Sequence, residues 1–489
     1  MNCNHFRSAA AVLSLALGAL GTLASQSAAA DQTYGKFSFG ADTRLREEYI
    51  GNLGLNEMTL TPRGASTGLA NPTANRVFQR YRFRGWGQWA PSEHFALAAR
   101  LMWEGRHYTL PPKSAFTPAS FPPGIAFEPW YVGGVLFDVL TLDFKKIANT
   151  GLSLKVGRQD VILGDGWLVL DGTPIDGSRT IYMDAARATW AVDSLKTTFD
   201  LIYINNPANT DNFPKPLNGD IEDQTEQYEQ GTILYARNKS LIKDTNLDLY
   251  AIYKGNRPNY TPRNMRVNNG YPFSSPPDDG QVYAVGLRIN SKLSPHWNLR
   301  AEAAGEWGAN RVNFDAVNQD ISALGFNGRL TYAFNDKLAN RVHVDLEYLS
   351  GDDPNTKNNE AFDPLWGRWP QWSELMIYQW PLDSRVGQAT NLIRANLGWI
   401  AKVHPTTEVL LDYHALWADQ QSVRTLSQFY NISHDGNFRG HLFTGWVKTK
   451  FNKNLSGHLV AEYLAPGDFY AVNRQDGSYF LRAEIVLAF

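Results

Sequence analysis

The stretch Tyr479–Phe489, Y-F-L-R-A-E-I-V-L-A-F, alternates along its whole length. Tyr479, Leu481, Ala483, Ile485, Leu487 and Phe489 share one parity; Arg482 and Glu484 sit on the other with Phe480, Val486 and Ala488. A period of two is that of a β-strand with two unlike faces. Such a strand, apolar on one side, charged on the other and ending on an aromatic, suits the closing strand of an outer-membrane barrel. It would equally serve as a half-buried strand of a soluble sandwich, so the remaining chain has to separate the two.

The N-terminal segment points to export. Arg7 supplies positive charge, Ala9–Ala24 is an apolar run of signal-peptide length, and Ala28 and Ala30 form a small-residue cleavage site before Asp31. Residues 1–30 are therefore expected to be a signal peptide, and residues 31–489 the mature chain. The run is short for a transmembrane anchor and has no stop-transfer pattern. The only cysteine, Cys3, precedes the apolar run, so the mature chain is expected to hold no disulfide and no thiolate metal site.

Of 489 residues, 13% are aromatic, 15 of them Trp, and the formal net charge is −2. No later stretch is apolar for long enough to cross a bilayer as a helix. Alternation of lipid-facing and polar residues would give this balance in a membrane barrel; a large secreted sugar-binding or sugar-cleaving β-protein would share it.

Period-two runs give eighteen candidate strands, beginning near Phe37, Tyr81, Phe95, Leu152, Ile181, Phe199, Ile233, Leu247, Val282, Trp297, Leu324, Val342, Ile393, Val409, Arg439, Leu455 and Tyr479, with a less regular one over Trp130–Asp143. The connections alternate in length. Residues 50–75, 107–127, 206–226, 256–280 and 351–389 are long; Ala90–Glu93, Ala148–Thr150, Asn238–Asp244, Ser291–Ser294 and His404–Thr407 are short. Short periplasmic turns and long extracellular loops have this asymmetry, and a Greek-key sandwich does not. The expectation is an all-β, transmembrane antiparallel barrel of about eighteen strands, one domain over 31–489.

In such a barrel Trp297, Leu299, Ala301, Ala303, Gly305 and Trp307 face lipid, and Asn298, Arg300, Glu302 and Glu306 face the lumen. The same reasoning gives Leu330, Leu346, Leu411 and Ile485 to lipid, and Trp89, Phe95, Trp297, Phe334, Phe451 and Phe489 to an aromatic girdle on the turn side. Arginine dominates the inward positions. Arg44, Arg46, Arg80, Arg82, Arg84, Arg100, Arg158, Arg187, Arg300 and Arg394 are the expected pore-lining set. A fork of guanidinium donors binds carboxylates at two points, and a ring of them attracts anions. Wall acids such as Asp42, Glu104, Asp345 and Glu484 could instead neutralise them one by one. The run Arg80, Arg82, Arg84 has no acid at the intervening inward positions of its own strand. Arg158 shares the parity of Leu152, Leu154 and Val156, and reaches the lumen only if a bulge at Gly157 shifts the register or if the apolar face of that strand points inward.

Several stretches resemble the alginate export family of outer-membrane barrels: L-K-V-G-R-Q-D-V-I over 154–162, Trp86-Gly87-Gln88-Trp89, Y-L-S-G-D-D over 348–353, Y-H-A-L-W over 413–417, A-P-G-D-F-Y over 465–470, and terminal Phe489. The resemblance implies a single-chain barrel of eighteen strands with an arginine-rich pore for a polyuronate. It implies a channel, not an enzyme, in the Gram-negative outer membrane. Lipid and lipopolysaccharide would surround it, the barrel-assembly machinery would insert it, and periplasmic polymer-export proteins could feed it. The chain departs from the family at Asp160, His458 and Val460, where the exporter has arginines. A substrate-specific uptake porin for small anionic solutes, or a barrel enzyme, therefore stays open.

No paired-histidine, nucleophile-elbow or phosphate-loop motif is present, and no cofactor or metal is expected. Asp352, Asp353, Asn355 and Glu360 lack the spacing of an EF-hand and read as a solvated acidic loop. Basic residues are dispersed, which argues against nucleic acid.

Overall fold

The computed structural model describes residues 37–53, 55, 58–60, 66–70, 74–110, 130–170, 182–210, 214–219, 227–258, 279–312, 317–368, 370–383, 389–421, 433 and 436–489. The expected signal peptide and its cleavage site lie outside these residues. Eighteen antiparallel strands form one closed sheet. They are β1 (Phe37–Gly51), β2 (Arg76–Ser92), β3 (Phe95–Leu110), β4 (Leu136–Ile147), β5 (Leu152–Gln159) and β6 (Met183–Val192). Then follow β7 (Thr197–Asn206), β8 (Gln227–Asn238), β9 (Thr245–Pro258), β10 (Asp279–Lys292), β11 (Trp297–Val312) and β12 (Val317–Ala333). The last six are β13 (Arg341–Leu349), β14 (Leu392–His404), β15 (Thr407–Trp417), β16 (Phe438–Lys450), β17 (Leu455–Pro466) and β18 (Ser478–Ala488). The irregular strand read over Trp130–Asp143 is split: Trp130–Val132 pairs with β3 as a short extension preceding β4.

Each strand pairs with its sequence neighbours, and β18 returns to β1 in the register Asp42↔Ala488 through Gly51↔Tyr479. Phe489 extends that pairing, donating its amide to the Ala41 carbonyl at 2.8 Å. Closure removes the sheet edges, which hydrocarbon could not solvate.

Alternation sorts the two faces as the sequence implies. Leu330, Leu346 and Leu411 are exposed on the outer wall, and Leu299 joins them by pairing with Leu330. Ile485 belongs to the same face by pairing with Leu45, yet it is covered. Trp89, Trp297, Phe334, Phe451 and Phe489 are exposed near the turns, where an interfacial girdle belongs.

The lumen is not an empty tube. Two connections fold inward, one of them within the 351–389 stretch that reads as an external loop. Residues 160–170 follow β5, and residues 350–368 and 370–383, between β13 and β14, include helix α1 (Glu374–Asp383). They pack on each other: the Trp366 amide donates to the Leu168 carbonyl at 2.9 Å, and Trp167 stacks on Phe362 at 5.4 Å. Leu375, Met376 and Trp380 of α1 are fully buried in a cluster that includes Phe362, Leu365 and, from the wall, Phe480. This apolar mass fills lumen near the loop-side strand ends.

The wall terminates α1. Ser373 caps it conventionally, its hydroxyl accepting the Met376 amide at 3.1 Å. Glu462 of β17 accepts the Glu374 and Leu375 amides at 2.9 and 3.0 Å, and Glu374 in turn accepts from Arg482 at 2.7 Å. The first-turn amides of a buried helix end thus find acceptors, which such an end requires. Another tie is Lys254, fully buried, whose ammonium donates to the Leu365 carbonyl at 2.8 Å and lies 3.6 Å from Glu229.

Candidate functional site: the charged wall of the lumen

The arginine run on β2 is balanced from the neighbouring strand. Register sets Asp42 beside Arg84, Arg44 beside Arg82 and Arg46 beside Arg80. Asp42 then holds Arg84 at 2.8 Å and Arg82 at 3.4 Å, and Glu48 holds Arg80 at 3.2 Å. Arg44 pairs with Glu104 at 3.5 Å; Arg46 pairs with Glu484 and, at 3.6 Å, with Glu48. Glu48 also accepts from Arg482 at 2.8 Å. Arg44, Arg46, Arg80 and Arg82 are buried in this network, which braces the seam where β18 meets β1 and β2.

Further round the wall, Arg100 joins Asp138 at 2.8 Å and Asp160 at 3.0 Å. Arg187 joins Asp200 at 2.9 Å, and Arg237 reaches the same aspartate. Arg329 and Asp345 form a two-point pair at 2.7 and 2.6 Å. Arg394 is buried between Glu347 at 2.9 Å and Asp345 at 3.5 Å, with its guanidinium over Trp372. Arg300 meets Asp165 of the inserted 160–170 segment at 3.4 Å.

These pairs are unequally exposed. The side chain of Arg100 is 17% exposed and that of Asp138 0%; for Arg187 and Asp200 the values are 21% and 0%, and for Arg329 and Asp345 they are 31% and 2%. In these three pairs the carboxylate is covered and the arginine is the more exposed partner, although Arg100 also meets Asp160, itself 31% exposed. A buried carboxylate requires a paired cation to offset its desolvation, so the arginines serve the wall while presenting positive charge to solvent. Lys155 over Asp143 and Arg106 over Glu104 repeat the pattern. Asp160 and Asp165, at 31% and 36% exposure, depart from it.

Arg158 is a correction to the expected set. No bulge is present at Gly157: from Leu154 to Arg158 β5 keeps register with both neighbours, Arg158 opposite Leu140 and Asp184. That face is the outer one, shared with exposed Val156 and Leu142. Arg158 is nevertheless buried, held by Asp184 at 2.9 and 3.2 Å, by the Phe137 and Pro214 carbonyls, and by the Tyr182 ring 3.6 Å from its guanidinium. It is a strut of the outer rim and leaves the lumenal set. Gly157 has φ +122°, and a Cβ there would meet the Leu140 carbonyl oxygen at 2.2 Å, so glycine fits for conformational reasons.

The sequence reading overlooked Arg237 and Lys155 as exposed cations of the wall, although each has inward parity. Among the described residues no group of three or more His, Cys, Asp or Glu is placed to hold a metal ion. Asp352, Asp353 and Glu360 instead form a hydrogen-bonded turn, in which Asp352 accepts the Glu360 amide at 3.2 Å and the Asp353 amide donates to Glu360 at 3.3 Å.

The barrel is similar in fold to three outer-membrane porins of Pseudomonas aeruginosa. OccK9 (OpdG) is 11% identical with a TM-score of 0.54, over 93% of this chain and 98% of that one. OccK5 (OpdH) is 13% identical at 0.52, over 92% and 98%, and OccK7 (OpdD) is 9% identical at 0.52, over 93% and 99%. At such identities the likeness establishes the fold alone. No functionally curated protein matches the sequence. The family model described as alginate export matches residues 130–483, most of the barrel, and the chain accordingly belongs to the alginate export family, as an outer-membrane channel.

Proposed function

We propose that this channel passes anionic saccharide chains, a uronate-bearing polysaccharide or its oligosaccharides, along a lumen whose solvent-facing charges are arginines. The observation that carries the reading is the unequal exposure of Arg100–Asp138, Arg187–Asp200 and Arg329–Asp345. A passing carboxylate meets the cation of each pair first. Because each guanidinium is already partly satisfied, the carboxylate is held weakly and can move to the next site, which conduction needs. The pairing also fixes the arginines in direction.

Family membership supports the class of substrate. In this reading export removes residues 1–30 at Ala30, the barrel-assembly machinery inserts the chain, lipid and lipopolysaccharide cover the outer band, and periplasmic polymer-export proteins deliver the glycan. The channel is passive and has no enzymatic role. A second reading, uptake of small anionic solutes, is favoured by the inserted segments 160–170, 350–368 and 370–383, which narrow the lumen.

Liposome swelling tests both. Oligomers of a uronic acid should enter faster than neutral oligosaccharides of equal length. Equal or slower entry overturns the proposal; entry of small carboxylates with exclusion of the oligomers turns it into the second reading.

A further inference from the structure

Below the inserted segments a cavity of about 210 Å³ opens between them and the wall; Arg300, Asn327 and Arg329, with the paired wall charges Asp345, Glu347 and Arg394, line one side, and Asp165, Gln371 and Trp372 line the inserted side. At ~30 Å³ per water it holds roughly seven waters, the size of one small sugar acid and too small for a chain. Arg300 and Arg329 are register partners on β11 and β12, so their guanidinium groups emerge side by side. Arg329 is held by Asp345 at two points. Among the described residues the acid at ion-pair distance from Arg300 is Asp165, at 3.4 Å. Asp165 does not belong to the wall. It sits on the inserted segment, reaches Arg288 at 2.8 Å, and is more exposed than the wall carboxylates Asp138, Asp200 and Asp345.

We propose that this cavity is a binding site for a single carboxylate-bearing sugar, in which Asp165 is a tethered stand-in that the ligand's carboxylate displaces from Arg300. The proposal rests on the anionic-saccharide reading above and adds a specific station to it. The incoming carboxylate takes the Arg300 fork, and Asp165 keeps its shorter contact with Arg288, so no guanidinium is left without an acceptor. Asn327 and Gln371 supply neutral amides for sugar hydroxyl groups, and the indole of Trp372 an apolar surface beside them. A neutral sugar lacks the group that competes with Asp165 and should bind weakly.

Calorimetric titration of the detergent-solubilised full-length barrel tests this, with glucuronate as probe and glucose as neutral control. Glucuronate should bind saturably and glucose should not. Arg300→Gln should weaken glucuronate at least tenfold, the loss of a charge-assisted hydrogen bond, and Arg300→Lys should recover part of it. Asp165→Asn should tighten binding, because it removes the competitor. If Asp165 were only a strut, D165N would weaken binding as R300Q does, and that result overturns the proposal. So does saturable binding that R300Q leaves unchanged, or none in an assembled wild-type barrel. If R300Q fails to show heat-modifiable migration, D165N alone decides. Absent glucuronate binding with retained anion selectivity ends this site and spares the channel reading; a cation-selective channel that still binds glucuronate does the reverse.

Discussion

A Glu462 carboxylate oxygen on β17 accepts the amide of Leu375 in helix α1 at 3.0 Å, so an acid of the barrel wall caps a helix inside the lumen. Glu462→Ala leaves the Glu374 and Leu375 amides and the Ser373 hydroxyl without this acceptor, a local cost of about 1–3 kcal/mol. Single-channel records should then show more frequent transitions to a larger conductance. Replacing residues 371–383 by a short Gly-Ser linker should fix the larger value. Conductance unchanged by both alterations would mean that α1 does not limit the path.

The seam between β18 and β1 gives a second expectation. Ten residues of β18 pair with β1, from Ala488 to Tyr479, and β18 pairs with β17 on its other side. Deleting Tyr479–Phe489 leaves two unpaired edges in hydrocarbon and removes Arg482 from the Glu48 network. The truncated chain should lose heat-modifiable migration on gels. Normal migration and normal protease protection would show that β18 does not close the barrel.

The wall was more legible in the sequence than the lumen. Alternation places Leu330, Leu346 and Leu411 outward without knowledge of any partner strand, because lipid exposure is a property of one strand's parity. Ion pairing is a property of two strands. Arg80, Arg82 and Arg84 look uncompensated along β2, and only the register with β1 sets Asp42 and Glu48 against them. Arg158 failed for another reason: its partners Phe137, Pro214 and the pair Tyr182 and Asp184 come from three other segments and bury a charge on the outer face. The inserted segments did leave a signal. Leu365 to Trp380 carries Trp366, Trp369, Trp372 and Trp380 with Leu375 and Met376, a composition too apolar for a loop bathed in water.

The turn at the start of the 350–391 connection should respond to pH. Burial raises the Asp352 carboxyl to about 6, and the adjacent Glu360 carboxyl adds to the shift. A carboxyl whose folded value lies above its unfolded one stabilises the packed state below the unfolded value, near 3.9, and loses that contribution as pH rises through the folded value. Protease cleavage within 350–391 should therefore be slower at pH 5 than at pH 7.5. Asp352→Asn should hold the slow rate at both; cleavage that remains pH-dependent in D352N would place the titrating group elsewhere.

The reversal potential across a planar bilayer under a potassium chloride gradient bears most directly on the charge of the path. Arg100, Arg187 and Arg329 are the more exposed partners of buried Asp138, Asp200 and Asp345, and in the proposed path they present their charge to the passing ion. The wild-type channel should prefer chloride. Replacing those three arginines by Gln, with assembly checked on gels, should move the potential toward potassium. The shift should shrink at 1 M salt, where the screening length is about 3 Å. A wild-type channel that prefers potassium, or a triple variant with an unchanged potential, would contradict an arginine-lined anion path.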